Sequence, residues 1–426
     1  MLVISTMKLY KHQIDVLQRT ASYNRVAFYL DMGLGKTFVG SEKLKLLDAM
    51  VNLIICQKSK VPDWVEHFKR HYDYQVYDLT KKDDFKAFIY AKGRKVGIIN
   101  YDLVWRRPEL KQLEEFTLVL DESSLIQNET TKRSKYILNL RPKNVILLSG
   151  TPTSGKYETL WSQMHLLGWK INKDLYYNSY VDFHWDTRQG FPLRIIDGYK
   201  NVERLKRKMR EHGCVFMKTE ECISLPEQNE HTVNVPVSDE YKIFVKDRIV
   251  EVDGVTLVGD TTLTKLLYER QLCGQYNKAK LEAFKDLVES TNDRLIVFYN
   301  FNAELELLKG VCELVGRPYS LVNGQGRDLY AYENESASIT LIQYQAGSKG
   351  LNLQKANKVI YFTPTLSCDD YMQSRKRVHR ISQTKPCFYY HMIAKGSVEE
   401  RIYQTLARRE DYTNALFESE ERDAEG

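Results

Sequence analysis

The apolar run Val26-Ala27-Phe28-Tyr29-Leu30 leads straight into Asp31-Met32-Gly33-Leu34-Gly35-Lys36-Thr37, and a helical pattern through Phe38, Leu44 and Leu47 follows. Strand, glycine-rich loop and helix in that order make a cradle for a polyphosphate. The glycines let backbone N–H groups converge on phosphate oxygens and the helix N-terminus adds a positive dipole end. Lys36 can reach the β- and γ-phosphates, and the Thr37 hydroxyl can ligate magnesium. Leu30 stands where the strict pattern has its first glycine. A second apolar run, FTLVL, ends in Asp121 and Glu122. Carboxylates at a strand tip can hold a magnesium ion and polarise an attacking water, so Asp121 joins Thr37 as a candidate metal ligand. The third group is Gln373, Arg377 and Arg380 in MQSRKRVHRISQ. The spacing predicts that Arg377 and Arg380 share a helical face and point at one anion, where arginine's fork suits phosphate.

These groups need rigid elements. VAFYL, NLIICQ, VGIINY, FTLVLDE and NVILLSGT, between residues 26 and 151, are short apolar runs separated by helical patterns. Continuous apolar runs of this kind belong to parallel strands covered on both faces. The rhythm returns in RLIVFYN, YSLVNG, ITLIQY, KVIYF and CFYYHMI, between residues 294 and 393. The expected fold class is therefore α/β, with two parallel-sheet domains in tandem and helical insertions between them. Residues 155–280 show no strand rhythm except at Asp253-Gly254, which predicts a two-residue hairpin turn. Asn201 is expected to cap a helix ending at Gly213, with Val202, Leu205 and Met209 on one face and Lys206, Arg207, Lys208 and Arg210 around the other, which is either a solvated face or a phosphate-tracking surface.

Composition narrows the class. With 43% hydrophobic and 28% charged residues the chain can bury cores, and a net charge of only +6 means that an anionic partner must be met by local patches. The seven cysteines form no CxxC pair or zinc-ligand spacing, so buried reduced thiols are expected. No apolar stretch approaches the length of a membrane span and no signal peptide is evident, which implies a cytoplasmic protein without a membrane partner.

Taken in order, the motifs resemble those of the Swi/Snf-type branch of the superfamily-two helicase-like ATPases, over nearly the whole chain. LYKHQIDVL resembles the adenine-contacting motif, DMGLGKT motif I, NLIICQKSKVPDWVEHF the next motif down to Trp64, LVLDESSLIQN motif II, and LLSGTPTSGKYETLW motif III. FMKTEECISLPEQNEHTVNVPVS is similar to the family's link between domains. QYQAGSKGLNLQKANKVIYF resembles motif V, and the arginine stretch resembles motif VI, with GSVEERI behind it.

The resemblance implies two RecA-like domains, ATP and Mg2+ as cofactors, and double-stranded DNA as the track. Residues 1–168 would carry the ATP-binding domain, 169–280 an insertion and linker, 281–410 the second helicase domain, and 411–426 a frayed acidic tail. Tyr10, Gln13, Met32, Gly33, Leu34, Gly35, Lys36, Thr37, Gly350 and Gln373 would line the nucleotide. Lys36, Asp121, Glu122, Arg377 and Arg380 would act on it at a cleft between the domains. Ser149, Thr151, Gly347, Gly350 and Asn352 would couple nucleotide state to the DNA track. Ser124 replaces the usual histidine of motif II, putting its contact with motif III in doubt, and Lys376 and Ser382 depart from motif VI. The size is that of a compact bacterial or phage motor, with a replication or recombination partner protein as a further expected contact. The alternatives are a strand-separating helicase, with the Asp253-Gly254 hairpin as wedge, and a nucleotide-gated clamp or loader.

Overall fold

A computed structural model describes residues 9–187, 192–347 and 351–417. The chain divides into two compact units, one of residues 1–222 with 412–426 and the other of residues 223–411.

In unit 1, β1 (Arg25–Leu30), β2 (Val51–Cys56), β3 (Gln75–Asp78), β4 (Lys95–Asn100), β5 (Thr117–Asp121) and β6 (Asn144–Ser149) are the strands foreseen from the apolar runs, with β3 added at an edge. β7 (Val181–Asp186) and β8 (Leu193–Tyr199) form a separate antiparallel pair, and β9 (Cys214–Met217) joins the main sheet. The order is β3-β4-β2-β5-β6-β1-β9, parallel throughout. Every residue of β4 and β6 is buried, as a strand covered on both faces requires. Helix α1 (Lys11–Arg19) packs on α2 (Lys36–Leu47), α2 packs on β1, β5 and β6, and α3 (Val61–His71) packs on β3 and β4.

In unit 2, β10 (Gln228–Val235), β11 (Ile249–Val252), β12 (Val255–Val258), β13 (Leu295–Tyr299), β14 (Tyr319–Asn323), β15 (Gly326–Asp328), β16 (Ile339–Gln343), β17 (Lys358–Tyr361) and β18 (Cys387–Ala394) follow. Seven of them form a sheet in the order β10-β18-β17-β13-β16-β14-β15, parallel except at the β14–β15 edge. Two parallel-dominated sheets in tandem are the two RecA-like domains expected. β11 and β12 pair across Asp253 (φ 48°) and Gly254 (φ 74°), so the predicted hairpin turn is present with both central residues left-handed.

The region between the apolar rhythms differs from expectation. Residues 155–280 hold β7 to β10 as well as the hairpin, and the division between units falls at Cys222 and Ile223. β9 is four residues long, and β10 is an edge strand whose polar residues are mostly exposed, so neither writes an apolar run. The helix Val202–Glu211 starts at Asn201, but Asn201 sits at φ 52° and makes no side-chain cap; its amide donates to the Ser179 carbonyl at 2.7 Å. Leu205 and Met209 are buried as expected, and so is Lys206, paired with Glu203 at 2.8 Å. The tail does not fray from residue 411. The helix Val398–Phe417 runs on, Thr413 is buried, and the Tyr157 hydroxyl donates to the Tyr412 carbonyl at 2.7 Å. Of the cysteines, all are free, six are buried and Cys222 is half-buried.

Unit 2 contains a fully buried ion pair. Lys280 Nζ meets both Glu399 oxygens at 2.7 and 2.6 Å, with neither side chain more than 1% exposed, and Glu399 also accepts the Ala394 N–H at 2.8 Å. It ties the helix Lys278–Glu289 to the GSVEERI segment. Removing one partner strands a charge. Lys280→Met should destabilise unit 2 by about 3–5 kcal/mol in urea unfolding, and adding Glu399→Leu should recover most of that loss.

Candidate nucleotide-binding site

The loop after β1 is held from both sides. The Asp31 N–H donates to the Met217 carbonyl at 2.9 Å and the Thr219 hydroxyl donates to Asp31 Oδ2 at 3.0 Å, so β9 and the segment after it anchor the loop's start. Gly33 (φ 91°) and Gly35 (φ 77°) are left-handed. At Gly35 glycine is required twice over, because a Cβ there would lie 2.2 Å from Gln13 Nε2. From α1, Gln13 donates to the Leu34 carbonyl at 3.1 Å, and its own oxygen accepts the Tyr10 N–H at 3.0 Å. His12 Nε2 lies 3.2 Å from the same carbonyl. The adenine-motif glutamine is thus a brace for the phosphate loop. Tyr10 is 67% exposed, its ring 5.8 Å from that of His12 and 7° from parallel.

α2 begins at Lys36, so its free N–H groups and positive dipole end face the loop. Lys36 Nζ donates to the Leu30 and Asp31 carbonyls at 3.0 and 3.3 Å. Thr37 is half-buried, as are Met32 and Lys36, while Leu34 is buried.

β6 lies between β1 and β5, so the loop and the acidic pair emerge from the same end of the sheet, about 10 Å apart at two strand spacings. Between them, a Cβ on Gly150 would lie 3.3 Å from Lys36 Nζ. Asp121 ends β5. Burial pushes its carboxyl up, opposed by a hydrogen bond from Trp64 and by the charge of Lys36. Glu122 turns out of the strand at φ 55° and accepts from Ser149 Oγ at 3.4 Å.

The contact between motifs II and III survives the loss of the histidine. Besides Ser149 to Glu122, Ser123 Oγ donates to Gln163 Oε1 at 2.7 Å and Gln163 Nε2 donates to the Pro152 carbonyl at 2.8 Å. Tyr29 OH donates to the same glutamine oxygen at 3.0 Å, and Gln127 Nε2 reaches Ser154 Oγ at 3.2 Å. Gln163 is fully buried and joins three strand ends. Sequence reasoning missed it, since a lone glutamine in a helical run carries no spacing signal.

In unit 2 the arginines are placed differently from expectation. The helix Cys368–Arg375 includes Gln373, half-buried, but ends before Arg377. Lys376 closes it, and Arg377 and Arg380 lie in the turns that follow, so they do not share a helical face. Beyond the helix the chain is held by motif V. The Arg377 carbonyl accepts the Leu353 N–H at 3.2 Å, and Arg377 Nη1 donates to the Leu351 carbonyl at 3.2 Å. Arg377 is 7% exposed and holds the Leu351 to Leu353 stretch of motif V. Arg380 is half-buried, and that partial burial lowers its pKa. Gly350 lies outside the described residues.

A Thr hydroxyl and an Asp carboxylate are hard oxygen donors that suit a small divalent cation sharing its shell with phosphate and water. The half-buried Asp121 carboxylate, disfavoured by desolvation, is a group that a cation would stabilise. Among the described residues no three His, Cys, Asp or Glu side chains converge as an all-protein metal cage.

The SNF2-related domain family matches residues 16–278, and the helicase conserved C-terminal domain matches residues 279–382. The mouse SWI/SNF-related matrix-associated actin-dependent regulator of chromatin subfamily A member 1 is 25% identical over 88% of this chain and 40% of its own length. The Bacillus subtilis protein YwqA, named as a candidate ATP-dependent helicase/translocase, is 26% identical over 92% of this chain and 46% of its own length. The chain therefore spans less than half of these curated relatives. Among solved structures, a Sulfolobus solfataricus SWI2/SNF2 ATPase core in complex with dsDNA aligns with 98% of this chain and 96% of that one, at 22% identity and a TM-score of 0.46. With the SNF2-related match covering more than half of its residues and the helicase C-terminal match following directly, the chain belongs to the SNF2-related family of superfamily-two helicases.

Proposed function

We propose that this ATP hydrolase of the SNF2-related family uses ATP with magnesium to translocate along double-stranded DNA. The observation that carries the reading is the gathering of the phosphate loop, Gly150 and the Asp121-Glu122 pair at neighbouring strand ends of one sheet. Thr37 and Asp121 are the residues that would hold a magnesium ion, which would supply positive charge against the phosphates. Lys36 would move from its carbonyl partners onto the β- and γ-phosphate oxygens. Glu122, aimed by Ser149, would orient and polarise the attacking water. Arg380, the more exposed of the two arginines, would offer its guanidinium fork to an anion, while Arg377 holds the Leu351 carbonyl. The duplex-DNA track rests on the family resemblance and on relatives such as an Arabidopsis thaliana protein whose name describes an ATP-dependent DNA helicase. Grip on backbone phosphates would make activation fall steeply with salt.

A second reading, strand separation, is favoured by the β11–β12 hairpin. Its turn is tight, and Val255 and Val258 are about half-exposed, at 48% and 46%. Shortening it should abolish any unwinding in a fork assay while sparing ATP turnover; if no unwinding is detected in the intact chain, the hairpin is no wedge.

ATP turnover should rise when duplex DNA is added, more than with single-stranded DNA or RNA, and the rise should shrink between about 50 and 200 mM salt. Lys36→Ala should abolish it. Glu122→Gln should lower kcat by about 100-fold or more while nucleotide affinity is kept. Duplex-independent turnover, or a Lys36→Ala variant as active as the parent, would contradict the proposal.

A further inference from the structure

Trp64 stands where the motif after β2 ends, and no step above uses it. Its ring is buried in α3, and its indole Nε1 donates to Asp121 Oδ2 at 2.8 Å. An indole N–H is a donor only: it can neither accept a hydrogen bond nor ligate a metal. It therefore fixes one carboxylate oxygen and leaves the negative charge intact for a cation. A lysine or arginine at that point would neutralise the charge it positions.

α3 is itself pinned to α2. His67, three residues beyond Trp64 and so on the same helical face, has Nε2 3.0 Å from Ser41 Oγ. Ser41 Oγ donates to the Thr37 carbonyl at 2.8 Å, and since the hydroxyl has one hydrogen, satisfying both contacts requires His67 Nε2–H to be the donor. Burial, reinforced by neighbouring His71, holds the His67 imidazole down at about 4, so it is neutral at ordinary pH. At the end of α3, Tyr72 donates to Glu42 Oε1 at 2.8 Å. The Phe38 ring packs edge-on against His67 at 5.0 Å. The turn bearing Thr37 and the carboxylate of Asp121 are thus referenced to one helix.

We propose that Trp64 is a positioning residue for the metal-holding carboxylate: its indole N–H, placed by α3, presets Asp121 so that its other oxygen meets a cation carried by the nucleotide. This rests on the magnesium-nucleotide reading above. Outer partners of metal ligands tune affinity without touching the metal, typically by 10- to 100-fold.

The test is the magnesium dependence of ADP binding, followed with a fluorescent ADP in EDTA and then at rising MgCl2. Trp64→Phe keeps most of the buried ring and deletes the N–H. The magnesium concentration giving half of the metal-dependent gain in affinity should rise about 10-fold or more, with ADP affinity in EDTA unchanged. A midpoint within about twofold of the parent overturns the proposal, as does an equal loss of affinity with and without metal, which marks general damage. If Trp64→Phe does not fold, benzothienylalanine at position 64 replaces the N–H by sulfur at nearly constant shape and is read the same way. Should the parent chain itself show no metal-dependent gain, the magnesium reading of the site fails together with the positioning role of Trp64; a gain in the parent that Trp64→Phe leaves untouched removes the positioning role alone.

Discussion

The parallel pairing of β1, β6 and β5 is the constraint on which the rest of the first unit depends. Parallel strands deliver their C-terminal ends to one edge of the sheet, and three adjacent ends deliver Asp31 to Thr37, Ser149-Gly150, and Asp121-Glu122. No side chain has to reach far. Lys36 lies against Gly150, and Ser149 bonds Glu122, because strand spacing is about 5 Å. The full burial of β6 keeps it in the interior of the sheet, covered on both faces. Around that edge, α1 supplies Gln13 to the back of the loop, and α3 supplies Trp64 to the acid.

Much of this was legible from the chain. The apolar runs marked the central strands of both sheets because central strands bury both faces, and Asp253-Gly254 marked its hairpin because few other pairs adopt two left-handed conformations. Edge strands escaped notice for the converse reason. β10 exposes Gln228, Glu230 and Thr232 and holds its place through backbone pairing with β18, which leaves little apolar pattern.

The site was legible where backbone geometry forces residue type, as at Gly35, and less so where it does not. Three-residue spacing suggested one helical face for Arg377 and Arg380, yet the helix ends at Arg375 and the Arg377 carbonyl pairs with the Leu353 N–H. Asn201 opens a helix as expected but spends its amide on Ser179. Glu399 reads as a surface acid in a charged segment, and only the fold reveals Lys280 opposite it. The missing motif II histidine was a sound alarm. What answered it was Gln163, 40 residues from Ser123 and invisible to any local pattern.

The central claim is that phosphate chemistry at the β1–β6–β5 edge drives movement along duplex DNA, and the most direct test is displacement of a triplex-forming oligonucleotide from a linear duplex. With ATP and magnesium the chain should release the third strand, and with a non-hydrolysable ATP analogue it should not. Duplex-stimulated hydrolysis without any release would contradict the account and leave a protein that grips DNA under nucleotide control but does not travel.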